Sequence, residues 1–343
     1  MMNLPNRRRF LQSMAAFSGA AAAGTLIDIR PGAAQDQFEV SMQLGWLVSN
    51  GILGEIAADH LGFYADEGLT LRIIPGGPNV DGLASVASGA AALGQYSSSP
   101  SLMMARSQGL PLKCIAAGYQ QHPFTYFSLS DNPVREPKDL IGKKVGTNGT
   151  ARILLQALLA RNGISQDDVE VVVTGSDMAP LMTGQVHVVT GWKTNTQALS
   201  ILGDKRVDLS LWDAGVQLYA NPYYVTDRLL EEQRDNVEAM IRVSAKGWGW
   251  VHENPEEAVK IMVERYPNLD LEIELATVPL ALAYSFNENT AANGWGAMTQ
   301  ENWQAQIDLY DQLGQFEAGA PKVEDVMTLS ILEATAADRP AYG

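Results

Sequence analysis

Apolar and polar positions alternate from Phe38 to Leu44, the period-two mark of a half-buried strand, and then the period changes. Ile52, Leu53, Ile56, Ala57 and Leu61 recur at helical spacing, and Gly62 stands where it can close that helix. Leu69–Ile74 reads as the next strand, and Gly76-Gly77-Pro78 as a turn. The alternation continues with a helix over 80–88 ended by Gly89, a strand over 91–96, and a helix opened by Ser99-Pro100 and ended by Gly109. A strand over 112–117 follows. After Asn132-Pro133 come short strands at Lys144–Thr147, 169–173, 186–190 and 207–211, with helices between them. One of those helices starts near Thr150, on Ile153, Leu154, Ala157 and Leu158. Beyond Tyr223 the pattern lengthens into amphipathic helices, and Asn254-Pro255-Glu256-Glu257 reads as a capped start with Glu257 set to reach back to the cap.

Strands alternating with helices predict an α/β protein built on mainly parallel sheets. The beat falls into two groups of βα units and a helical tail, which predicts two lobes. Lobe 1 is expected over 35–128, lobe 2 over 129–224, and a return to lobe 1 with C-terminal helices over 225–343. The chain then crosses twice between lobes, near 124–130 and near Ala220–Thr226. Ligands of open α/β sheets sit beyond the carboxyl ends of the strands, so the ligand cleft is expected between the lobes.

Composition adds a compartment. Asn6-Arg7-Arg8-Arg9-Phe10-Leu11-Gln12 is close to the twin-arginine export pattern. An uncharged Ala/Gly-rich stretch covers 13–27, and Gly32 and Ala34 suit cleavage after Ala34. Residues 1–34 are therefore read as a signal peptide directing a protein without stable membrane insertion to the periplasm, the apolar run being too short and too small-residue-rich for a permanent span. Its removal takes away four arginines and one aspartate, a net +3, and moves the formal charge from −15 to −18. So acidic a protein repels nucleic acid and anionic lipid. Cys114 is the lone cysteine, which excludes an intrachain disulfide. With 46% apolar residues, the chain can bury a large core.

Five segments then carry a resemblance. GFYADEGL (62–69), VASGAAALG (86–94), MARSQGLPLKCIA (104–116), KDLIGKKVG (138–146) and DDVEVV (167–172) occur in order and in register. They resemble the periplasmic substrate-binding proteins of ABC importers, in the SsuA/THI5-like (NMT1/THI5-like) group that includes thiamine-pyrimidine proteins and alkanesulfonate binders. The resemblance runs over about 43–258. It implies the two-lobed periplasmic binding protein fold (type II), capture without catalysis, no cofactor, a small-molecule ligand, an ABC transporter permease as partner, and a monomer. Two departures appear. His187 stands in GQVHVV where the family usually has aspartate, and TGWKTN (190–195) is more similar to pyrimidine- and flavin-type binders than to sulfonate binders.

Candidate ligand contacts lie at predicted strand ends. Trp46 and Asn50 open the first βα loop, where an aromatic face and an amide could hold a planar ligand. Core packing is the alternative for the indole. Glu55 is either an acceptor for a ligand amine or a solvated helix residue. Tyr96, Ser97 and Ser98 offer donors at a helix start, one serine being needed as its cap. Tyr119 and Gln120 follow the next strand, while His122 before Pro123 reads as a turn. In the second lobe Asn148 and Thr150 sit at a strand-to-helix junction beside Arg152, which could clamp an anion. Trp192 and Asn195 occupy the matching junction, so that Trp46 and Trp192 could sandwich a flat ring. Asp213 could accept from an amine or simply cap a surface turn. The histidines at 60, 122, 187 and 252 show no metal-ligand spacing, and no G-x-S-x-G elbow occurs. The thiamine-pyrimidine synthases of the same group carry a cysteine-rich iron motif that one cysteine cannot supply. The leading expectation is a receptor for a small planar nitrogen heterocycle. An alkanesulfonate or similar anion is the alternative ligand.

Overall fold

The computed structural model describes residues 37–343 apart from 78, 150 and 176. The expected signal peptide lies outside these described residues. Ten strands make two five-stranded sheets: β1 (Phe38–Leu44), β2 (Leu69–Ile74), β3 (Leu93–Gln95), β4 (Leu112–Tyr119), β5 (Phe124–Leu129), β6 (Lys144–Thr147), β7 (Glu170–Val173), β8 (Val188–Trp192), β9 (Arg206–Ser210) and β10 (Ala220–Thr226). The first sheet has the order β2-β1-β3-β10-β4 and the second β7-β6-β8-β5-β9. Each is parallel except for one strand, β10 in the first and β5 in the second. The α/β architecture is as the alternation predicts.

Each antiparallel strand is the first one laid down after the chain changes sheets. This corrects the expected crossings. Residues 124–130 and Ala220–Thr226 are not connectors but β5 and β10, buried along nearly their whole length. The crossings lie just before them, at 120–123 and 211–219. The lobe boundaries shift with them: β5 belongs to the second sheet and β10 to the first. The reason is chemical. FTYFSL and ANPYYVT carry too much aromatic surface to span solvent, so each run inserts into a sheet instead.

One large apolar core runs through both sheets, from Val40 and Met42 in β1 to Val145 and Val188 in the second sheet. A smaller cluster around Phe127, Leu181 and Val189 lies apart from it. The Arg234–Glu253 helix buries Val237, Met240, Ile241, Ser244, Trp248 and Val251 at helical spacing. It crosses the Leu53–His60 helix so closely that a Cβ on Gly247 would lie 2.1 Å from the Gly54 carbonyl oxygen. Only glycine fits there. Truncating the fully buried Trp248 beside this crossing is expected to cost about 3–5 kcal/mol. The expected capping box at Asn254 is not made: the side chain turns back, its Nδ2 donating to the Trp250 carbonyl 3.0 Å away, and so closes the preceding helix. Among the described residues no helix is long and apolar enough to cross a membrane.

Candidate functional site

The carboxyl ends of β1, β3 and β4 on one sheet and of β6, β8 and β9 on the other carry the candidate residues. The loop after β1 is pinned at its base. Gly76 donates to the Trp46 carbonyl at 3.0 Å, and a Cβ on Gly76 would sit 2.2 Å from the Leu44 carbonyl oxygen. Trp46 itself projects, 53% exposed, with Leu47 beside it at 58%. Asn50 is buried. Its Nδ2 donates to the Glu274 carboxylate and, at 3.4 Å, to the Glu274 carbonyl, and its Oδ1 has no partner.

Four rings gather where the sheets meet. Tyr119 ends β4 and lies 6.5 Å from Trp192 and 5.8 Å from Tyr284, centroid to centroid. His122, in the first crossing, meets Trp192 edge-on at 5.3 Å. Burial pushes the His122 imidazole down to about 3, so the ring is neutral, its Nδ1 accepting from the Phe124 amide at 3.2 Å and its Nε2 unpartnered. It lies in the short connection between β4 and β5, as the turn reading has it, and also packs against Trp192. Trp192 lies inside β8, two residues beyond the expected strand end, and is half-buried. Trp46 and Trp192 make no ring contact with each other among the described residues.

Other candidates are already engaged. Gln120 is buried and tied into the frame, its Nε2 donating to the Ala117 and Ala297 carbonyls at 3.1 and 2.9 Å and its Oε1 accepting from Asn289 at 2.9 Å. Asn148 is exposed and accepts from the Ala151 amide at 2.8 Å, and Asn195 caps the Thr196–Leu199 turn. Thr150 lies outside the described residues. Asp213 and Arg152 are exposed. Tyr96 and Ser97 are half-buried behind β3. Ser98 holds the N-cap position of the Ser99–Ser107 helix but makes no capping bond, and its Oγ is buried without a partner. Ser99 Oγ instead donates to the Tyr219 carbonyl at 3.1 Å. Neither reading of Glu55 holds: its carboxyl is wholly buried, Oε1 accepting from Tyr223 at 2.7 Å and Oε2 unpartnered.

The Leu271–Ser285 helix is what sequence reasoning missed. Glu274 grips Asn50 on the first-sheet side, Thr277 Oγ1 lies 2.6 Å from Thr196 Oγ1 on the second-sheet side, and Tyr284 stacks near Tyr119 while its carbonyl accepts from the Gln120 amide at 2.7 Å. A single helix thus flanks the junction of both sheets. Acidic groups act on several of the tyrosines, though Asp208 is itself paired with Lys193 at 3.4 Å and Arg206 at 3.0 Å. Burial first, then Tyr284 and Glu274, raise the Tyr119 hydroxyl; burial, Asp208 and Asp213 push Tyr284 up to about 12; burial and Asp81 raise Tyr96. A surface hollow of about 370 Å³ lined by residues including Phe63, Lys246, Trp250 and Tyr342 shares no residue with this set.

Residues 49–258, more than half of the chain, match the family described as NMT1/THI5 like. The chain belongs to that family. It is 29% identical over 214 residues to the riboflavin-binding protein RibY of Chloroflexus aurantiacus, covering 60% of this chain but only 61% of that one, under two thirds of the relative's length. It is 26% identical to a formylaminopyrimidine-binding protein of Halalkalibacterium halodurans over 74% of this chain and 80% of the relative. A 4-amino-5-hydroxymethyl-2-methylpyrimidine phosphate synthase of Legionella pneumophila is 22% identical over 67% of this chain and 74% of its own. Among solved structures, the periplasmic aliphatic sulphonate binding protein SsuA from Escherichia coli superposes with a TM-score of 0.66 at 13% identity, covering 84% of this chain and 91% of that one. That likeness establishes the periplasmic-binding-protein fold. The family match stops at 258, so Glu274, Thr277 and Tyr284 lie beyond it.

Proposed function

We propose that the protein is a periplasmic solute receptor of an ABC importer, capturing a small planar nitrogen heterocycle between its two sheets and delivering it to the permease. The observation that carries this reading is the ring cluster of Tyr119, Trp192 and Tyr284 beside a helix whose Glu274 carboxylate is bonded to Asn50 and pairs with no cation among the described residues. Aromatic faces suit a flat ring. Carboxylates suit its N–H edge. The unpaired Glu274 opposes a sulfonate, since two like charges about 4 Å apart repel by roughly 4 kcal/mol at an effective dielectric near 20, whereas Asp208 is paired with Lys193 and Arg206. Relatives named for riboflavin and for formylaminopyrimidine support the same ligand class, a thiamine-precursor pyrimidine or a flavin.

Trp46, Asn50, Tyr96, Ser97, Ser98 and Tyr119 would form one wall and Asn148, Thr150, Trp192, Asn195 and Asp213 the other. Export through the twin-arginine pathway and a monomeric state complete the reading. The synthase relative favours a second, enzymatic reading. Against it stands a single cysteine, Cys114, whose wholly buried thiol is pushed far up by desolvation. Mass spectrometry of small molecules released from gently purified protein tests the proposal. A nitrogen heterocycle is expected; a co-purifying aliphatic sulfonate, or turnover of a pyrimidine precursor, would overturn it.

A further inference from the structure

The geometry points to Glu274 as a ligand-binding and specificity-determining residue that accepts a hydrogen bond from an amino group on the edge of the captured heterocycle, with Asn50 as its orienting partner. The inference rests on the receptor reading above. Its starting observation is an amide whose two ends have different fates. The Asn50 side chain is 2% exposed, and both of its contacts to Glu274 run from Nδ2 to acceptors, the carboxylate and the main-chain carbonyl. Two acceptors on one side fix the amide with its nitrogen towards the Leu271–Ser285 helix. Oδ1 therefore faces the other way, buried and without a donor. A buried acceptor left unmet costs about 1–3 kcal/mol, so the site has a reason to take up an N–H group.

Glu274 supplies the second acceptor. Asn50 Nδ2 occupies Oε2, and among the described residues no donor reaches Oε1. The carboxylate is half-buried, and its charge is felt at Tyr119, one of the rings at the junction of the sheets. Asp270 is the other charged group facing it. No cation pairs with Glu274 among the described residues, so its charge remains available to a ligand. Asn50 Oδ1 and Glu274 Oε1 thus offer acceptors and no donor, the complement of an amino group with its two N–H bonds. A ring carbonyl at the same position would meet two lone-pair centres and be rejected. That asymmetry is large when a site is built around a specific donor.

The test is a pair of titrations on the full-length mature protein. The probes are 4-amino-2-methylpyrimidine and 2-methylpyrimidin-4-one, which differ at one exocyclic position. Wild type is expected to bind the amine at least about tenfold more tightly than the oxo compound. In Glu274→Gln, Asn50 Nδ2 claims the one remaining side-chain acceptor, and the new NH2 faces the ligand. The amine-to-oxo preference should then fall by about tenfold or more, towards or past unity. An unchanged preference ratio in E274Q, whether or not both affinities drop together, overturns the inference, because a merely structural role would weaken both probes equally. Binding of neither probe by wild type refutes the receptor reading for pyrimidines, and this inference with it, whereas an unchanged ratio refutes the inference alone, so the two failures are told apart.

Discussion

Glu55→Gln should make the protein more stable at neutral and alkaline pH, an unusual direction for removing a charge. Glu55 lies inside the first lobe, wholly buried, facing Tyr64, Tyr223, Ser244 and Trp248. Oε1 accepts from Tyr223, which in turn receives a 3.1 Å bond from Gln95 Nε2. Oε2, Tyr64 Oη, Ser244 Oγ and Trp248 Nε1 complete no hydrogen bond. Burial dominates and raises the carboxyl from 4.5 to about 7, against smaller opposing contributions led by Tyr223. The unfolded chain ionises near 4.5, so between there and about 7 the folded protein holds a proton the unfolded one has lost. Stability therefore falls as pH rises through that window and levels off above it. Two and a half pH units at about 1.4 kcal/mol each amount to about 3 kcal/mol. Glutamine carries no such penalty. Urea unfolding of both proteins between about pH 4.5 and 8 should show near-equal stabilities at the acid end and the variant ahead by about 3 kcal/mol at the other. A stability difference independent of pH, or one that grows in favour of wild type as pH rises, would refute the reasoning.

Trp192→Ala should weaken ligand binding by about tenfold or more while Arg152→Ala, a change at an exposed side chain, is mild; calorimetry with the ligand recovered from native protein reads both, and the reverse order would favour an anion. Replacing Arg7 and Arg8 by lysine should hold the protein in the cytoplasm, as cell fractionation would show, whereas unchanged export would remove the twin-arginine assignment. If ligand draws the two sheets together about the crossings at 120–123 and 211–219, solution scattering should report a smaller radius of gyration on saturation, and superimposable curves would argue against closure.

The strands of the first βα unit were legible because apolar and polar residues alternate along β1 and β-branched residues run through β2, and both fall where those patterns place them, to the residue. β5 and β10 were not. Aromatic residues stand on both of their faces, which breaks the alternation, and β10 adds Pro222 and the positive φ of Asn221, two marks that normally argue against a strand. The first-lobe site was partly legible, since loops at the carboxyl ends of parallel strands are set by topology alone. Glu274, Thr277 and Tyr284 were not, because nothing local distinguishes them on a helix that carries Pro279 and lies beyond every family segment. Their place beside Asn50, Thr196 and Tyr119 comes from packing between residues far apart in the chain. Glu55 shows the same limit in reverse. A glutamate in a helix reads as solvated, and only the crossing of two glycines in neighbouring helices reveals that water is excluded there.

Under the proposed function, the junction of the sheets selects a flat, donor-edged ring over an anion. Calorimetric titration of the purified mature protein with an aminopyrimidine, riboflavin and ethanesulfonate tests it most directly. Saturable heat is expected with at least one of the two heterocycles and none with the sulfonate. Saturable binding of ethanesulfonate, with neither heterocycle bound, would contradict it.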